Sequence, residues 1–352
     1  MIPTAKMSKY MLATAIREFR HLTSSIYRHK IYNLTLYTTN RCNSRCITCN
    51  IWKKVPKQDL DVDIIREVLN DEAVDKDITL FGLGGGEPLL HPKFEEILSL
   101  LCNYNYILLS NGVLADRLIQ AVRDFKVKSL LLSLDGTPDT HKRIRGVDNY
   151  SAIEKIVSEL KEDDVSISIS YTASPWNTPD DLFHVMEFCR RNELCFGVGY
   201  YNNLEYFETT KEAGHLYSVS DLFPNLYTSF YDLWISGNLK LPCYSIRLKR
   251  TVMPNGDVNL CEQKEIKLGN LHEQRLGDIC KSKETVELQN KYVACNDCWL
   301  DCHRPIDIYI AILLRSLIPY PLIRKFVGPY DWRKVPSIWN LLRTPLRYPV
   351  KR

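Results

Sequence analysis

The run Asn33-Leu34-Thr35-Leu36-Tyr37-Thr38-Thr39-Asn40-Arg41-Cys42-Asn43-Ser44-Arg45-Cys46-Ile47-Thr48-Cys49 decides how the rest of the 352-residue chain reads. Its opening, Asn33–Thr39, is rich in threonine, leucine and tyrosine and reads as a strand. That strand runs directly into three cysteines spaced C-x3-C-x2-C. Iron–sulfur clusters are held by cysteine thiolates, ordinarily four, so three ligands on one short loop leave an iron open to a substrate or cofactor. On the cysteines alone, a structural zinc site completed from elsewhere is the alternative.

Outward from this loop the chain keeps a regular rhythm. Strand-like runs at 78–83, 106–110, 129–134, 165–172 and 196–201 alternate with helical patterns at 62–74, 93–102, 114–124, 150–162 and 179–193. Such alternation implies parallel βαβ units, whose chemistry sits at the C-terminal strand ends. Three further motifs fall there: Gly84-Gly85-Gly86-Glu87-Pro88, Ser110-Asn111-Gly112 and Ser133-Leu134-Asp135-Gly136. Glycines let backbone approach a ligand, a carboxylate receives an ammonium, and Ser133 and Asp135 share a strand face.

In this order the motifs resemble those of the radical SAM superfamily, over residues 33–201. Cys42, Cys46 and Cys49 would carry the SAM-cleaving 4Fe–4S cluster, whose free iron chelates the methionine end of S-adenosylmethionine (SAM). The resemblance implies that Gly85, Gly86 and Glu87 hold the methionine ammonium, and that Asn111, Ser133, Asp135 and Arg145 are further SAM contacts. Arg145 belongs to a run with His141, Arg143 and Gly146 that looks like the family's segment after its fourth strand. Thr48 stands where the family often has an aromatic residue. Gly197-Val198-Gly199 loosely resembles an adenine-contacting strand.

A second group of cysteines follows. Cys243, Cys261, Cys295, Cys298 and Cys302 surround a Pro254-Asn255-Gly256-Asp257 turn that reads as a hairpin bringing Cys243 and Cys261 together. A zinc knuckle is the alternative here too. The segment resembles the SPASM and twitch extensions of radical SAM enzymes. Five cysteines suit one auxiliary 4Fe–4S cluster, with Cys243, Cys261, Cys295 and Cys298 the favoured ligands and Cys302 able to replace one of the last two. Cys102, Cys189, Cys195 and Cys280 lack ligand spacing and read as buried small hydrophobes.

The expected fold is α/β: a partial (β/α)6 TIM-like barrel with a small C-terminal cluster-binding extension, a β-hairpin plus helix. The expected divisions are an N-terminal amphipathic helix in 1–32, the barrel in 33–242, the auxiliary-cluster domain in 243–305 and a basic apolar tail in 306–352. Charge is uneven. Residues 1–40 carry a net +5 and residues 304–352 a net +8 on a chain of net +4, which leaves −9 between them. An acidic body argues against nucleic acid. Basic residues mixed with Trp332, Trp339 and aliphatic side chains suit peripheral membrane contact through the C-terminal tail. No apolar run is long enough to span a bilayer. With no secretory signal, the cysteine usage suits a reducing cytoplasm.

Together these features imply reductive cleavage of SAM to a 5′-deoxyadenosyl radical that takes hydrogen from a carbon. The auxiliary cluster would be an electron acceptor or a substrate ligand, and flavodoxin or ferredoxin the electron donor. The expected substrate is a small molecule: a polyol, an amino sugar or a lipid-linked sugar. Peptide modification is the runner-up, set back by the short segment before the first strand. A non-catalytic metal-stabilised binding protein is a third reading, which has no use for the motifs of Glu87 and Asp135. The sequence singles out no acid/base residue.

Overall fold

The structure is a computed structural model and describes residues 30–202, 205 and 217–337. The helical pattern at 8–28 and the end of the tail lie outside the described residues. Six parallel strands, β1 (Asn33–Thr39), β2 (Leu80–Gly85), β3 (Asn105–Ser110), β4 (Ser129–Ser133), β5 (Ser166–Ala173) and β6 (Cys195–Tyr200), lie in sequence order across the sheet. Helices α1 (Val62–Leu69), α2 (Phe94–Leu101), α3 (Ala115–Asp124), α4 (Pro138–Arg145), α5 (Tyr150–Glu159) and α6 (Pro179–Arg191) fill the crossovers. This is the partial barrel that the alternation implies.

The core lies between strands and helices. Leu34, Leu36, Phe81, Leu83, Leu108, Leu130, Leu132, Ile169 and Tyr171 are fully buried, among helix residues such as Ile65, Ile97, Leu118, Ile153 and Val185. The opposite strand face is mixed, with Thr35 on β1, glycines on β2 and β6, aliphatic Ile107, Leu109 and Leu131 on β3 and β4, and polar residues on β5. On β5 the buried Ile167, Ile169 and Tyr171 alternate with Ser168, Ser170 and Thr172, all half-buried. The helices start where their caps dictate: the Asp61 side chain accepts from Asp63 N ahead of α1, and Thr178 and Asp181 form a capping box at α6.

The C-terminal part is joined to this sheet. After α7 (Leu226–Ile235) comes β7 (Lys249–Val252), which pairs in parallel with β1, Asn33 opposite Lys249 and Leu36 opposite Val252. β8 (Asp257–Asn259) and β9 (Lys267–Asn270) continue antiparallel, giving nine strands in the order β6-β5-β4-β3-β2-β1-β7-β8-β9. The expected hairpin is therefore β7–β8, turning at Gly256 with φ +81°. The extension is larger than a hairpin plus one helix, since it also holds α8 (Leu276–Lys281), α9 (Lys283–Tyr292), α10 (Arg304–Leu317) and α11 (Tyr320–Phe326). No helix among the described residues is long and apolar enough to cross a membrane. Of the cysteines read as buried spacers, Cys189 is buried, but Cys102 and Cys195 are exposed and Cys280 is half-buried. Cys102 follows the end of α2 and Cys195 opens β6, so both sit at element ends that the core does not cover.

One buried carboxylate ties α10 to the start of the extension. Asp307 accepts hydrogen bonds from Tyr244 N, Ser245 N and Ser245 Oγ on Oδ1, while Oδ2 lies 3.3 Å from Arg304 Nη1. Both side chains are buried to within about 1%. Breaking a buried pair strands a charge, so Asp307→Ala is expected to lower folding stability by about 3–5 kcal/mol in urea titration. Asp307→Asn, which keeps an acceptor for the backbone donors, is expected to lose less.

Candidate functional site

The cysteine loop leaves the C-terminal end of β1 and is gripped on three sides. Beneath it lies the glycine turn that ends β2. Gly86 N donates to Thr39 O at 2.7 Å and Glu87 N to Arg41 O at 2.8 Å. A Cβ on Gly86 would stand 2.0 Å from Arg41 O, and one on Gly85, where φ is +122°, 2.5 Å from Thr39 O. These two glycines are required by backbone-to-backbone contact.

The second grip comes from β3. Asn111 Nδ2 donates to Asn43 Oδ1 at 2.8 Å and to Ser44 Oγ at 2.9 Å, and lies 3.9 Å from Cys42 Sγ. Its backbone N donates to Glu87 Oε2 at 2.8 Å, while Ser110 Oγ donates to Glu87 Oε1 at 3.0 Å. Burial pushes the Glu87 carboxyl up to about 7, against the pull of its hydrogen bonds from Asn111, Ser110 and Leu89. This carboxylate is engaged with the loops around it.

The third grip is the end of α4. Arg45 N donates to Arg145 O and Ile47 N to Ile144 O, each at 2.9 Å, and a Cβ on Gly146 would lie 2.7 Å from Arg45. Arg145 Nε sits 2.7 Å from Asp135 Oδ2, with Asp135 fully buried. Its Nη1 is 3.9 Å from Cys46 Sγ. Asp135 Oδ1 accepts from Thr172 N at 2.9 Å. Asp135 and Arg145, picked out in the sequence as separate contacts, are thus brought together as an ion pair beside Cys46. Behind them, His141 Nδ1 accepts from Asp135 N, so Nε2 carries the proton toward Asn149 Oδ1; burial holds this ring down to about 4, neutral at pH 7. Ser133 ends β4, opposite Ser170 of β5.

The three thiols suit a metal cluster. Burial pushes Cys42 up to about 11 and Cys49 up to about 12, with the charge of Cys46 adding to both. Arg145 opposes burial at Cys46. Three desolvated thiols on one short loop beside a guanidinium are costly as thiolates unless a cation binds them. The sequence reading missed Asn43, Ser44 and Asn149 in this network, because single asparagines and serines carry no spacing signal. It also missed Trp52, whose Nε1 donates to Cys46 O at 3.4 Å and whose ring lies 5.1 Å from the Arg45 guanidinium.

The second group of cysteines divides. Cys243, Cys261, Cys295 and Cys298 line one small cavity of about 20 Å³, together with Ile246, Leu260, Tyr292 and His303. Cys302 does not line it. Its thiol donates to Glu262 Oε2 at 3.1 Å, and Glu262 Oε1 accepts from Thr35 Oγ1 of β1 at 2.7 Å. Burial works against the Glu262 charge, but Lys249 and the Thr35 and Cys302 hydrogen bonds hold its carboxyl below the usual range. Lys249 Nζ donates to Cys302 O, and Asp301 Oδ2 lies 3.2 Å from the position of a Cβ on Gly199 of β6. The loop carrying Asp301 and Cys302 therefore lies across the strand face turned away from the core, beside Gly199 of β6 and, through Glu262, Thr35 of β1. Four thiols around one cavity match the four ligands that a four-iron cluster takes.

Residues 36–189 match the radical SAM superfamily, and residues 243–299 match SPASM, an iron–sulfur cluster-binding domain. The chain is similar to the GTP 3′,8-cyclase of Sulfurovum sp. (strain NBC37-1), 27% identical over 191 residues, which cover 51% of this chain and 57% of that protein. It is similar also to the probable GTP 3′,8-cyclase of Methanocaldococcus jannaschii, 26% identical over 212 residues, covering 56% and 66%. The match thus spans less than two thirds of either relative's length. Streptococcus suis SuiB bound to S-adenosylmethionine has a similar fold, with TM-score 0.56 at 17% identity over 75% of this chain and 69% of that one. So does anSMEcpe with bound AdoMet, with TM-score 0.55 at 17% identity over 76% and 83%.

Two contrasts test the site. Gly84→Ala meets nothing nearer than 3.7 Å, whereas Gly86→Ala drives a methyl into Arg41 O. Gly84→Ala is expected to keep its iron, and Gly86→Ala to lose about half of it, the share of one of two four-iron clusters. Cys302→Ala is expected to keep all its iron, while Cys298→Ala loses about four irons per chain by iron assay.

Proposed function

We propose that this chain, which belongs to the radical SAM superfamily and carries a C-terminal SPASM domain, is an iron–sulfur enzyme that takes a hydrogen atom from a carbon of a small polar substrate. The observation that carries this reading is the three-thiol loop at the ends of parallel strands, clamped between Gly86, Asn111 and Arg145. A four-iron cluster held there by Cys42, Cys46 and Cys49 would supply the electron for reductive cleavage of SAM, the source of a 5′-deoxyadenosyl radical able to take that hydrogen.

This chain's own residues prepare that event. Cys42, Cys46 and Cys49 would hold three irons and leave the fourth for SAM. Gly85, Gly86 and Glu87 would meet the SAM ammonium chiefly through their backbone, because Ser110 and Asn111 already occupy the Glu87 carboxylate. Asn111 fixes the loop, Ser133 offers a hydroxyl from the end of β4, and the Asp135–Arg145 pair sets a cation beside Cys46. Cys243, Cys261, Cys295 and Cys298 would fill all four irons of a second cluster. That favours an electron acceptor over a substrate ligand. A flavodoxin or ferredoxin would supply the first electron.

The polar side chains that β5 turns away from the core support the substrate class. Ser168, Ser170 and Thr172 on β5, with Asp301 beside Gly199 of β6, offer hydroxyls and a carboxylate to a polyol or amino sugar. GTP and peptides are the comparison substrates for an activity screen.

Anaerobically reconstituted protein is expected to bind about eight irons per chain and to form 5′-deoxyadenosine from SAM under a strong reductant. Replacing Cys42, Cys46 and Cys49 together by alanine is expected to remove about half of that iron and all of the product. Continued product formation by the triple variant, or zinc in place of iron in the anaerobic protein, defeats the reading.

A further inference from the structure

We propose that the α10–α11 corner is a docking surface for an anionic lipid bilayer. The inner stripe of α10 is spent on the core: Ile308, Ala311 and Ile312 are buried, and Ile306 and Ile310 pack on Tyr32 and Leu248. The outer stripe is also apolar. Tyr309 and Leu317, two turns apart, are 58% and 72% exposed, and Leu322 on α11 is 46% exposed. Pro319 and Pro321 between the helices add to the same corner, with Pro319 and Pro321 both exposed. Ile323 holds α11 to the core, so its neighbour Leu322 is turned outward.

Cations surround this apolar corner. Residues 308–337 hold five basic side chains, Arg315, Arg324, Lys325, Arg333 and Lys334, against one acid, Asp331. The Asp331 carboxylate is taken by the backbone N of Lys240. Arg315 and Arg333 both pack against the Tyr320 ring, at 5.9 and 5.1 Å. Exposed aliphatic and aromatic groups framed by guanidinium and ammonium groups match the boundary where acyl chains meet anionic headgroups. The sequence beyond the described residues adds Arg343, Arg347, Lys351 and Arg352 with no acid among 338–352. The same charge balance disfavours a second copy of this corner, because two like-charged faces repel.

The test uses the full chain with vesicles of phosphatidylcholine alone or mixed with phosphatidylglycerol. Co-sedimentation is expected with the anionic vesicles at low salt, lost at high salt and absent on neutral vesicles. Leu317→Glu/Leu322→Glu and Arg324→Glu/Lys325→Glu are each expected to weaken partitioning by about tenfold or more. Both should keep full iron content and SAM cleavage, which separates failure of docking from failure of the enzymatic reading. The proposal is overturned if wild type ignores anionic vesicles at low salt. It is overturned also if both double variants bind as wild type does, which would assign binding to the chain outside this corner. A concentration-dependent dimer in sedimentation velocity, abolished by Leu317→Glu/Leu322→Glu without vesicle binding, would make a second copy the occupant and sink the bilayer.

Discussion

Everything at the first site depends on how closely one backbone approaches another. The turn after β2 lies so near the cysteine loop that no Cβ fits at Gly86. That approach turns Glu87 inward, where a buried carboxylate requires donors. Ser110 and Asn111 at the end of β3 provide them, and the Asn111 side chain then reaches back to Asn43 and Ser44. The path begins and ends on the same loop. A closed, satisfied network of this kind is rigid, and it holds three thiols in place before any metal arrives.

Much of this architecture is legible in the sequence. β1 starts and ends where its residues say, and β2 to β6 lie within two residues of the runs that suggest them. Strands packed on a helical layer must bury one face, and Leu34, Leu36, Ile167 and Ile169 advertise it. β7 was not legible as a partner of β1. It is four residues long, and its pairing joins segments more than two hundred residues apart, for which no local pattern exists. Asp135 and Arg145 were legible as site residues but not as a pair, because only the turn after Gly136 and the length of α4 bring them together. In the C-x2-C-x3-C run the sequence favoured Cys295 and Cys298 but left Cys302 able to replace one of them. The fold distinguishes them by sending Cys302 toward Glu262 and Thr35.

The cysteines also explain the energetics of the two sites. Burial raises Cys298 to about 12 and Cys243 well above its usual value, so both are protonated without metal. Arg304 lowers both, and Asp307 keeps Arg304 in place. Metal loading would therefore expel protons and add its binding energy to the stability of this region.

The pairing of β7 with β1 has a consequence for electron transfer. The first cysteine loop hangs from the C-terminal end of β1. β8 runs antiparallel to β7, with Asn259 opposite Thr251, so Cys261 lies toward the N-terminal end of the same strand. The two thiol sets thus occupy opposite ends of one hydrogen-bonded ruler graduated at about 3.3 Å per residue. Tunnelling between redox centres decays steeply with distance, and a hinge between them would make its rate fluctuate. A shared sheet removes that freedom. Clusters bound at the two thiol sets would therefore keep a fixed separation.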